Sequence, residues 1–398
     1  MIGKIELISK DNALRAKDKE KVRVYTCIYR NYSITRKSII EKTGVRPTTV
    51  SKAVYELIED GLVVEGQQSE TGRKGRPGIC LHPDFNKHLS ISISFHSHQI
   101  RGVLLNLGEK IVAERTVRIQ ADATNEIFLS SFITIIRELL DYMPLKAELL
   151  GVGISVSGSI NRQEQSWIYS SRWSNLSNLP FSKLAEELNL NVRVSHFLNA
   201  NLEYLMMKNP VFMAGGTLLY HWGYGIGASY AHDGTVLKSS LGSFAEVGHW
   251  QVSLNKGDLC PCGARGCLET EAALWSIRQK LGSDGTGIPE NEEKFGEIIL
   301  KSNLSGNPEI LKARDFVEDS LVNLYHTFYP ERILIYGPFV SEFEFFTELS
   351  YRLIRRITPL YRSFIKLERV DITENGVAVG STFPFFLDSM KNILMAKW

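Results

Sequence analysis

The sequence predicts a winged helix-turn-helix (α+β) at the N-terminus, followed by a two-lobed α/β domain. Two observations carry this prediction. Short helices with turn glycines and a basic hairpin fill the first part of the chain, and strands that close in glycine turns alternate with helices in the rest. We place the boundary after residue 82, which gives a head at residues 1–82 and a body at residues 83–398.

Composition is that of a globular protein, with 43% hydrophobic and 23% charged residues. The first 21 residues have charges but no apolar core, so no signal peptide is expected. No apolar run of about 18 residues predicts a membrane span. We therefore expect a cytoplasmic protein, in which clustered cysteines indicate metal binding or catalysis more often than disulfides.

Charge differs between the two parts. Residues 1–80 hold 16 Lys and Arg against 10 Asp and Glu, a surplus of +6, whereas the remainder holds 30 against 34, or −4. A basic head on a mildly acidic body suggests that the head alone contacts a polyanion. A solvated basic face is also common, so charge by itself leaves the partner open.

Two helices are predicted early in the head. Residues 21–32 carry apolar side chains at helical spacing, namely Val24, Tyr25, Ile28 and Tyr29. A second helix over residues 35–42 should end at Gly44, since glycine is a common helix stop.

The third helix should begin at Pro47, because proline suits a first helical position. One apolar stripe follows at Val50, Val54, Leu57 and Ile58, and Gly61 ends the helix. Residues 62–81 then predict two strands joined by a basic, glycine-rich tip, which completes a winged helix-turn-helix.

Such a head predicts binding to double-stranded DNA. The third helix would enter the major groove by its N-terminal end, exposing Arg46, Thr48, Thr49, Ser51 and Lys52. The wing tip supplies Arg73, Lys74 and Arg76 for phosphates or a narrow minor groove. The alternative is a small helical subdomain with a basic linker.

The body repeats one plan. Strands are predicted at residues 88–95, on either side of Gly108, and at 149–160, with a helix across 125–143; a later segment, 216–234, again gives a strand, a glycine turn and a strand. This duplication suggests two α/β lobes with a cleft between them. The glycine turn has Gly223, Gly225 and Gly227. Such turns more often simply connect two strands than bind phosphate.

Three cysteines lie within eight residues and predict a metal site. Ten residues separate His249 from Cys260, and Cys262 and Cys267 complete a set of one imidazole and three thiolates. This set fits a closed, structural Zn²⁺ site. Gly263 and Gly266 would let the chain curl around one ion. The alternatives are reduced thiols without metal, or an iron–sulfur cluster.

The segments "EVGH" (246–249) and "CPCGARGCLE" (260–269), with the flanking glycine turns, resemble the ROK family of sugar kinases and sugar-responsive repressors. The resemblance covers the chain from about residue 88 to its end. It implies the actin-like, ribonuclease-H-like pair of lobes, approximately 83–200 plus the C-terminal helix and 201–375. It also implies a homodimer or homotetramer, and a winged helix at the front is typical of the repressor branch.

By motif match, the resemblance implies that Glu246, His249 and Glu269 contact sugar hydroxyls in the cleft. Zinc on one ring nitrogen of His249 would fix the direction of the other, so the metal would brace the site rather than perform chemistry. Without the resemblance, each glutamate is as readily a surface or helix-capping carboxylate.

The departures from the family's kinase pattern predict a protein that is not an enzyme. Phe197 stands where the kinases have their catalytic aspartate, and a phenyl ring cannot accept a proton. The nucleotide-binding turn is replaced by "SFHSH" (94–98), and Tyr224 replaces a phosphate-binding threonine. His196 beside Phe197 is a packing or hydrogen-bonding residue rather than a substitute base.

Altered cleft residues leave the effector open. His196 and Arg172 replace sugar-contacting residues, so the effector is a sugar, a sugar phosphate that pairs with Arg172, or a transport-system protein. We expect a DNA-binding transcriptional regulator, a repressor of carbohydrate-metabolism genes that binds an approximately palindromic operator. The alternatives are an ATP-dependent sugar kinase with an appended DNA-binding head, and a zinc-stabilised sugar-binding module whose head contacts protein.

Overall fold

A computed structural model describes residues 2–9, 15–68, 78–96, 98–170, 172–239, 244–253, 257–282, 289, 291–302, 306–362 and 365–395. Among these residues, no helix is both long and apolar enough to cross a membrane.

The N-terminal part is built from four helices and three strands: α1 (Ile2–Ser9), α2 (Ala16–Asn31), β1 (Ile34–Thr35), α3 (Arg36–Thr43), α4 (Pro47–Glu59), β2 (Val63–Gln68) and β3 (Ile79–Pro83). The strands form one antiparallel sheet in the order β1-β3-β2. The three predicted helices are confirmed, and α1 was not predicted. Residues 69–77, where the wing tip was placed, lie outside the described residues.

Local sequence explains where these helices end. Gly44 follows α3 with φ 67°, and Gly61 follows α4 with φ 71°, both in the left-handed region that favours glycine. The predicted stripe of α4 faces inward, with Val50, Val54 and Leu57 fully buried and Ile58 half-buried. Helix α2 starts at Ala16, five residues before the predicted segment.

The first large sheet follows. Its part of the chain comprises β4 (His88–His96), β5 (Gln99–Asn106), β6 (Ile111–Arg118), α5 (Asn125–Leu140), β7 (Glu148–Val156), β8 (Ser159–Asn161), β9 (Ser166–Tyr169), β10 (Leu179–Pro180), α6 (Ser182–Leu188), β11 (Val192–His196) and α7 (Phe197–Lys208). The five-stranded order is β11-β7-β4-β5-β6, with β4, β5 and β6 antiparallel and β7 and β11 parallel to β4.

The second large sheet comes from the rest of the chain: β12 (Gly216–Trp222), β13 (Ile226–His232), β14 (Thr235–Val236), α8 (Leu268–Ala272), α9 (Leu274–Gly282), α10 (Glu292–Ser302), α11 (Pro308–Phe328), β15 (Arg332–Tyr336), α12 (Phe343–Arg356), β16 (Lys366–Arg369) and α13 (Glu374–Met395). Its order is β14-β13-β12-β15-β16. Three antiparallel strands are again followed by two strands parallel to the first. The two sheets therefore share one topology.

Strand β4 alternates apolar residues with serines, a pattern typical of a strand with one wet face. In this strand, however, the side chains on both faces are buried from His88 to Ser94. Two of the serines satisfy their hydroxyls inside the protein: Ser90 donates to the carbonyl of Gly151 at 2.8 Å, and Ser92 shares a 2.8 Å hydrogen bond with Ser381 of α13. Small side chains thus allow a helix to lie on this face of the sheet.

Helix α13 is the covering element, and it joins the N-terminal part to the first sheet. One buried core joins α13 to the helices of the N-terminal part. Helix α13 contributes Phe383, Phe386, Met390 and Leu394, and the N-terminal helices contribute Val24, Ile28, Val54 and Leu57. The ammonium of Lys21 in α2 donates to the carbonyl of Ile393 at 3.1 Å. The N-terminal part therefore packs on the last helix of the chain.

The closest approach of α13 to α7 gives a stability prediction. A Cβ at Gly380 would lie 1.9 Å from the carbonyl oxygen of Ala200. Gly380→Ala should therefore lower the free energy of unfolding by about 2 kcal/mol, because the backbone overlap outweighs the roughly 1 kcal/mol that alanine gains in a helix. Urea unfolding measures this change.

Gly306→Ala is the matched control, since a Cβ there meets no atom within 4 Å. Equal stability of Gly380→Ala and the control would contradict the packing described for α13.

Candidate functional site

A cavity of about 620 Å³ opens between the two large sheets. The carboxyl ends of β4, β7 and β11 face it from one side, and those of β12 and β15 from the other. In α/β folds this is where ligands bind. All five predicted ligand residues line the cavity: Arg172, His196, Glu246, His249 and Glu269.

The predicted metal ligands form one cluster. The ligand atoms of His249, Cys260, Cys262 and Cys267 all lie within 4.8 Å of one another. Nδ1 of His249 is 3.7 Å from Sγ of Cys260, and Sγ of Cys262 is 3.7 Å from Sγ of Cys267. Metal–sulfur bonds of about 2.3 Å in a tetrahedron place sulfurs about 3.8 Å apart, so the four side chains fit one metal ion.

Turn geometry brings the cysteines together. Gly263 has φ 92° and Gly266 has φ 70°, as expected for residues that let the chain curl. The amide of Gly263 donates to the carbonyl of Cys260 at 2.9 Å. Burial raises the pKa of the Cys260 and Cys267 thiols in the absence of metal, so metal binding releases protons.

Glu269 directly extends the cluster into the cavity. One carboxylate oxygen accepts from the amide of Ile226 at 2.9 Å, and the other accepts from the indole of Trp275 at 3.3 Å. The carboxylate is thereby fixed between the end of the glycine turn and α9. These two donors were not predicted from the sequence.

His196 caps α7, with Nδ1 accepting from the amide of Leu198 at 3.3 Å. Burial lowers the pKa of His196 to about 4; the charge of Glu246 opposes this shift and that of His221 adds to it. His196 is therefore a neutral hydrogen-bonding residue at neutral pH. Phe197 follows it into the cavity and offers no proton acceptor.

The segment 94–98 ends β4 in an aromatic cluster. The ring of Phe95 lies 4.9 Å from that of Trp167 and 5.3 Å from that of Trp173. Ser94, Phe95 and His96 line the cavity, and Ser97 lies outside the described residues. Aromatic packing fills the position where the resemblance would place a phosphate-binding turn.

A second polar group, missed by the sequence analysis, surrounds the glycine turn. His221 Nε2 lies 3.0 Å from one oxygen of Glu292, and the other oxygen accepts from the amide of Tyr224 at 2.7 Å. Tyr336 stacks on His221 with ring centres 4.6 Å apart. Burial raises the pKa of Glu292, but the contacts with His221, the amide of Tyr224 and the charge of Arg172 together outweigh it, so that the pKa is lowered.

Arg172 lies against this group. Its guanidinium is 4.6 Å from the centre of the Tyr224 ring, a cation–π contact. No motif marks Glu292, because it begins a helix whose sequence is ordinary; only the fold brings it to the glycine turn.

The predicted DNA-contacting side chains of α4 lie at its first turns. Arg46, Thr48, Ser51 and Lys52 are exposed and Thr49 is half-buried. Arg73, Lys74 and Arg76 lie outside the described residues.

Comparison with known proteins adds three findings. The ROK family model matches residues 90–362. The DNA-binding transcriptional repressor Mlc of Escherichia coli (strain K12) is 24% identical over 372 residues, 90% of each chain. A crystal structure of a ROK family transcriptional regulator, described as a homolog of the E. coli Mlc protein, has a TM-score of 0.72 at 20% identity and covers 96% of this chain and 99% of its own.

A ROK hexokinase from Thermus thermophilus has the same body fold, with a TM-score of 0.59 at 16% identity. It is matched over 98% of its own length but over only 75% of this chain. The sugar-kinase fold thus accounts for the two large sheets, which confirms the body's predicted fold class.

Metal content tests the cluster. Purified protein should hold one metal ion per chain after dialysis, and Cys267→Ser should weaken metal binding by more than about a hundredfold, because a ligand is lost rather than an outer partner. Elemental analysis by mass spectrometry gives the stoichiometry. Cys80→Ser in β3 is the control and should keep the metal; a metal-free wild-type protein that is fully folded would contradict the site.

Proposed function

The chain belongs to the ROK family, and from that premise we propose that it is a DNA-binding transcriptional repressor of carbohydrate-metabolism genes, controlled by an effector in the cavity between its two large sheets. One observation carries the proposal: the match to a ROK transcriptional regulator covers 96% of this chain, whereas the match to the hexokinase covers 75%. An N-terminal head beyond the sugar-kinase fold would account for this difference.

We propose that this head is a winged helix-turn-helix. Helices α2, α3 and α4 precede the antiparallel pair of β2 and β3. Arg46, just before α4, and Ser51 and Lys52 in its N-terminal half are exposed. In this motif that half of the helix contacts bases in the major groove. The wing would add Arg73, Lys74 and Arg76 as phosphate contacts.

A homodimer or homotetramer fits this use of the head. Two heads related by a twofold axis would contact two half-sites of an approximately palindromic operator, because the symmetry of the DNA site mirrors that of the protein. With DNA as its partner, the protein would act in the cytoplasm.

We propose Zn²⁺ as the metal of the Cys₃His cluster. Three thiolates and one imidazole are the donors that zinc prefers in closed structural sites. With Nδ1 of His249 on the metal, Nε2 is left for an effector hydroxyl. Zinc would hold that ring in place, while the effector contacts are made by the chain's own residues.

The effector site proposed here consists of Glu246, His249 and Glu269, with His196 and Arg172 at its border. Carboxylates accept hydrogen bonds from pairs of hydroxyls. Glu269 is already held by two donors, so it would meet a sugar without losing side-chain freedom. An effector protein of a transport system is the alternative partner of the same domain.

The proposal excludes sugar phosphorylation. By motif match, Phe197 at the start of α7 would stand where the kinases have their base, and burial keeps His196 beside it uncharged at neutral pH. The aromatic cluster around Phe95 stands where the nucleotide turn is expected. The alternative, an ATP-dependent sugar kinase, would therefore be without its catalytic base and its nucleotide-binding turn.

A conformational change caused by effector binding would be transmitted to the head through α7 and α13. Helix α7 begins in the cavity, α13 packs closely on it at Gly380, and the last turns of α13 share a core with α2 and α4. An effector that favours one packing of α7 would thus shift the position of the head. This route is a proposal about coupling.

Salt dependence tests the DNA interface. Affinity for fragments selected from genomic DNA should fall steeply with salt, and Arg73→Ala or Arg76→Ala should reduce the slope of log K against log salt by about one each, because each phosphate contact releases a counterion. Arg46→Ala should weaken binding by about 1–3 kcal/mol. Fluorescence anisotropy at several salt concentrations measures both.

Lys301→Ala, which removes one charge from α10 of the body, is the control and should leave the slope unchanged. If the head variants behave like this control, the head contacts something other than DNA.

A further inference from the structure

We propose that Glu292 is a built-in anion of the effector cavity, so that the cavity selects an uncharged saccharide and excludes phosphorylated ligands. This inference rests on the proposed function, since it names the chemical class of the effector.

The carboxylate of Glu292 binds the backbone of the glycine turn between β12 and β13. One oxygen accepts from the Tyr224 amide at 2.7 Å, and the other lies 3.0 Å from Nε2 of His221. These are the donors that an incoming phosphate oxygen would need. Because they are already satisfied, a phosphate gains hydrogen bonds there only by displacing the side chain.

The turn is packed tightly onto this carboxylate. A Cβ at Gly223 would lie 2.5 Å from Oε1 of Glu292 and 2.3 Å from Nε2 of His221. The glycine is therefore needed for close approach of the backbone to an internal carboxylate. Helix α10, which Glu292 begins, is held against the end of β12 by these contacts.

The charge of the cavity also opposes anions. Among its described lining residues are four carboxylates, Glu246, Glu269, Glu292 and Asp371, and one guanidinium, that of Arg172. A fifth lining carboxylate, Glu297, is paired with Lys301. Arg172 stacks on Tyr224, and its charge acts on Glu292. A phosphate dianion would therefore enter a site in which carboxylates outnumber the guanidinium, which disfavours binding.

Several residues that line the cavity carry uncharged polar groups without a hydrogen-bond partner among the described residues. Ser94 Oγ, Trp173 Nε1 and Asn201 Oδ1 are buried, line the cavity and have no hydrogen-bond partner among the described residues. Burying such groups without partners costs free energy. A ligand hydroxyl both donates and accepts hydrogen bonds, so a saccharide suits each of these uncharged groups.

Inorganic phosphate is the first probe, titrated into the full-length, metal-loaded protein by isothermal calorimetry. Wild-type protein should show no binding at millimolar phosphate. Glu292→Gln removes the charge but keeps an acceptor for Tyr224, and Glu292→Ala removes both. Each variant should lower the dissociation constant for phosphate by about tenfold or more.

Glu297→Gln is the matched control, because it makes the same charge change one turn further along α10, where Glu297 pairs with Lys301 at 3.3 Å. It should leave phosphate binding unchanged. Phosphate binding by wild-type protein as tight as by the Glu292 variants overturns the proposal. So does the absence of any gain in either folded variant, or an equal gain in the control.

The second probe is a panel of uncharged mono- and disaccharides with their phosphate esters. At least one uncharged member should bind wild-type protein, with its ester at least about tenfold weaker, and Glu292→Gln should narrow this gap. Preference for the ester, or binding of no uncharged member, overturns the proposal. None of these titrations contains DNA, so their failure is distinct from failure of the salt-dependence test, which would overturn the proposed function.

Discussion

The packing of α13 on α7 is the interaction on which the rest of the structure depends. Helix α7 starts at the cavity, and the glycine at position 380 lets the two helix backbones meet. Along its further length α13 completes the core of the N-terminal head. Two parts of the chain that are separated by hundreds of residues thus share one buried helix. In the proposed coupling, a rearrangement at the cavity that moves α7 would reach the head through α13.

The opposite wall of the cavity is held by polar contacts rather than by apolar packing. The cysteine cluster positions His249, and Glu269, two residues after the last cysteine, is fixed by the amide of Ile226 and the indole of Trp275. Glu292 holds the neighbouring glycine turn. The ligand-facing groups of this wall are thus oriented before any ligand arrives, which reduces the entropy lost on binding.

Local patterns predicted much of this, because their causes are local. Three cysteines within eight residues and a preceding histidine reach one point through two glycine turns, and the helices of the head follow from apolar spacing and from Gly44 and Gly61. The five ligand residues came from motif resemblance and line one cavity. The sequence did not reveal Glu292, whose partners His221 and Tyr224 are about 70 residues away. Nor did it reveal the role of α13, because its contacts are set by tertiary packing.

Amide hydrogen exchange in α7 and α13, the helices that connect the cavity to the head, tests most directly the claim that the two are coupled. Full-length protein would be compared with and without a bound genomic DNA fragment, following amide exchange along the chain by mass spectrometry. Because coupling is reciprocal, DNA at the head should change exchange in α7 and α13 as well as in α2 and α4, while α12 on the second sheet stays unchanged. A change confined to residues 16–83 would contradict the account, since head and cavity would then be independent.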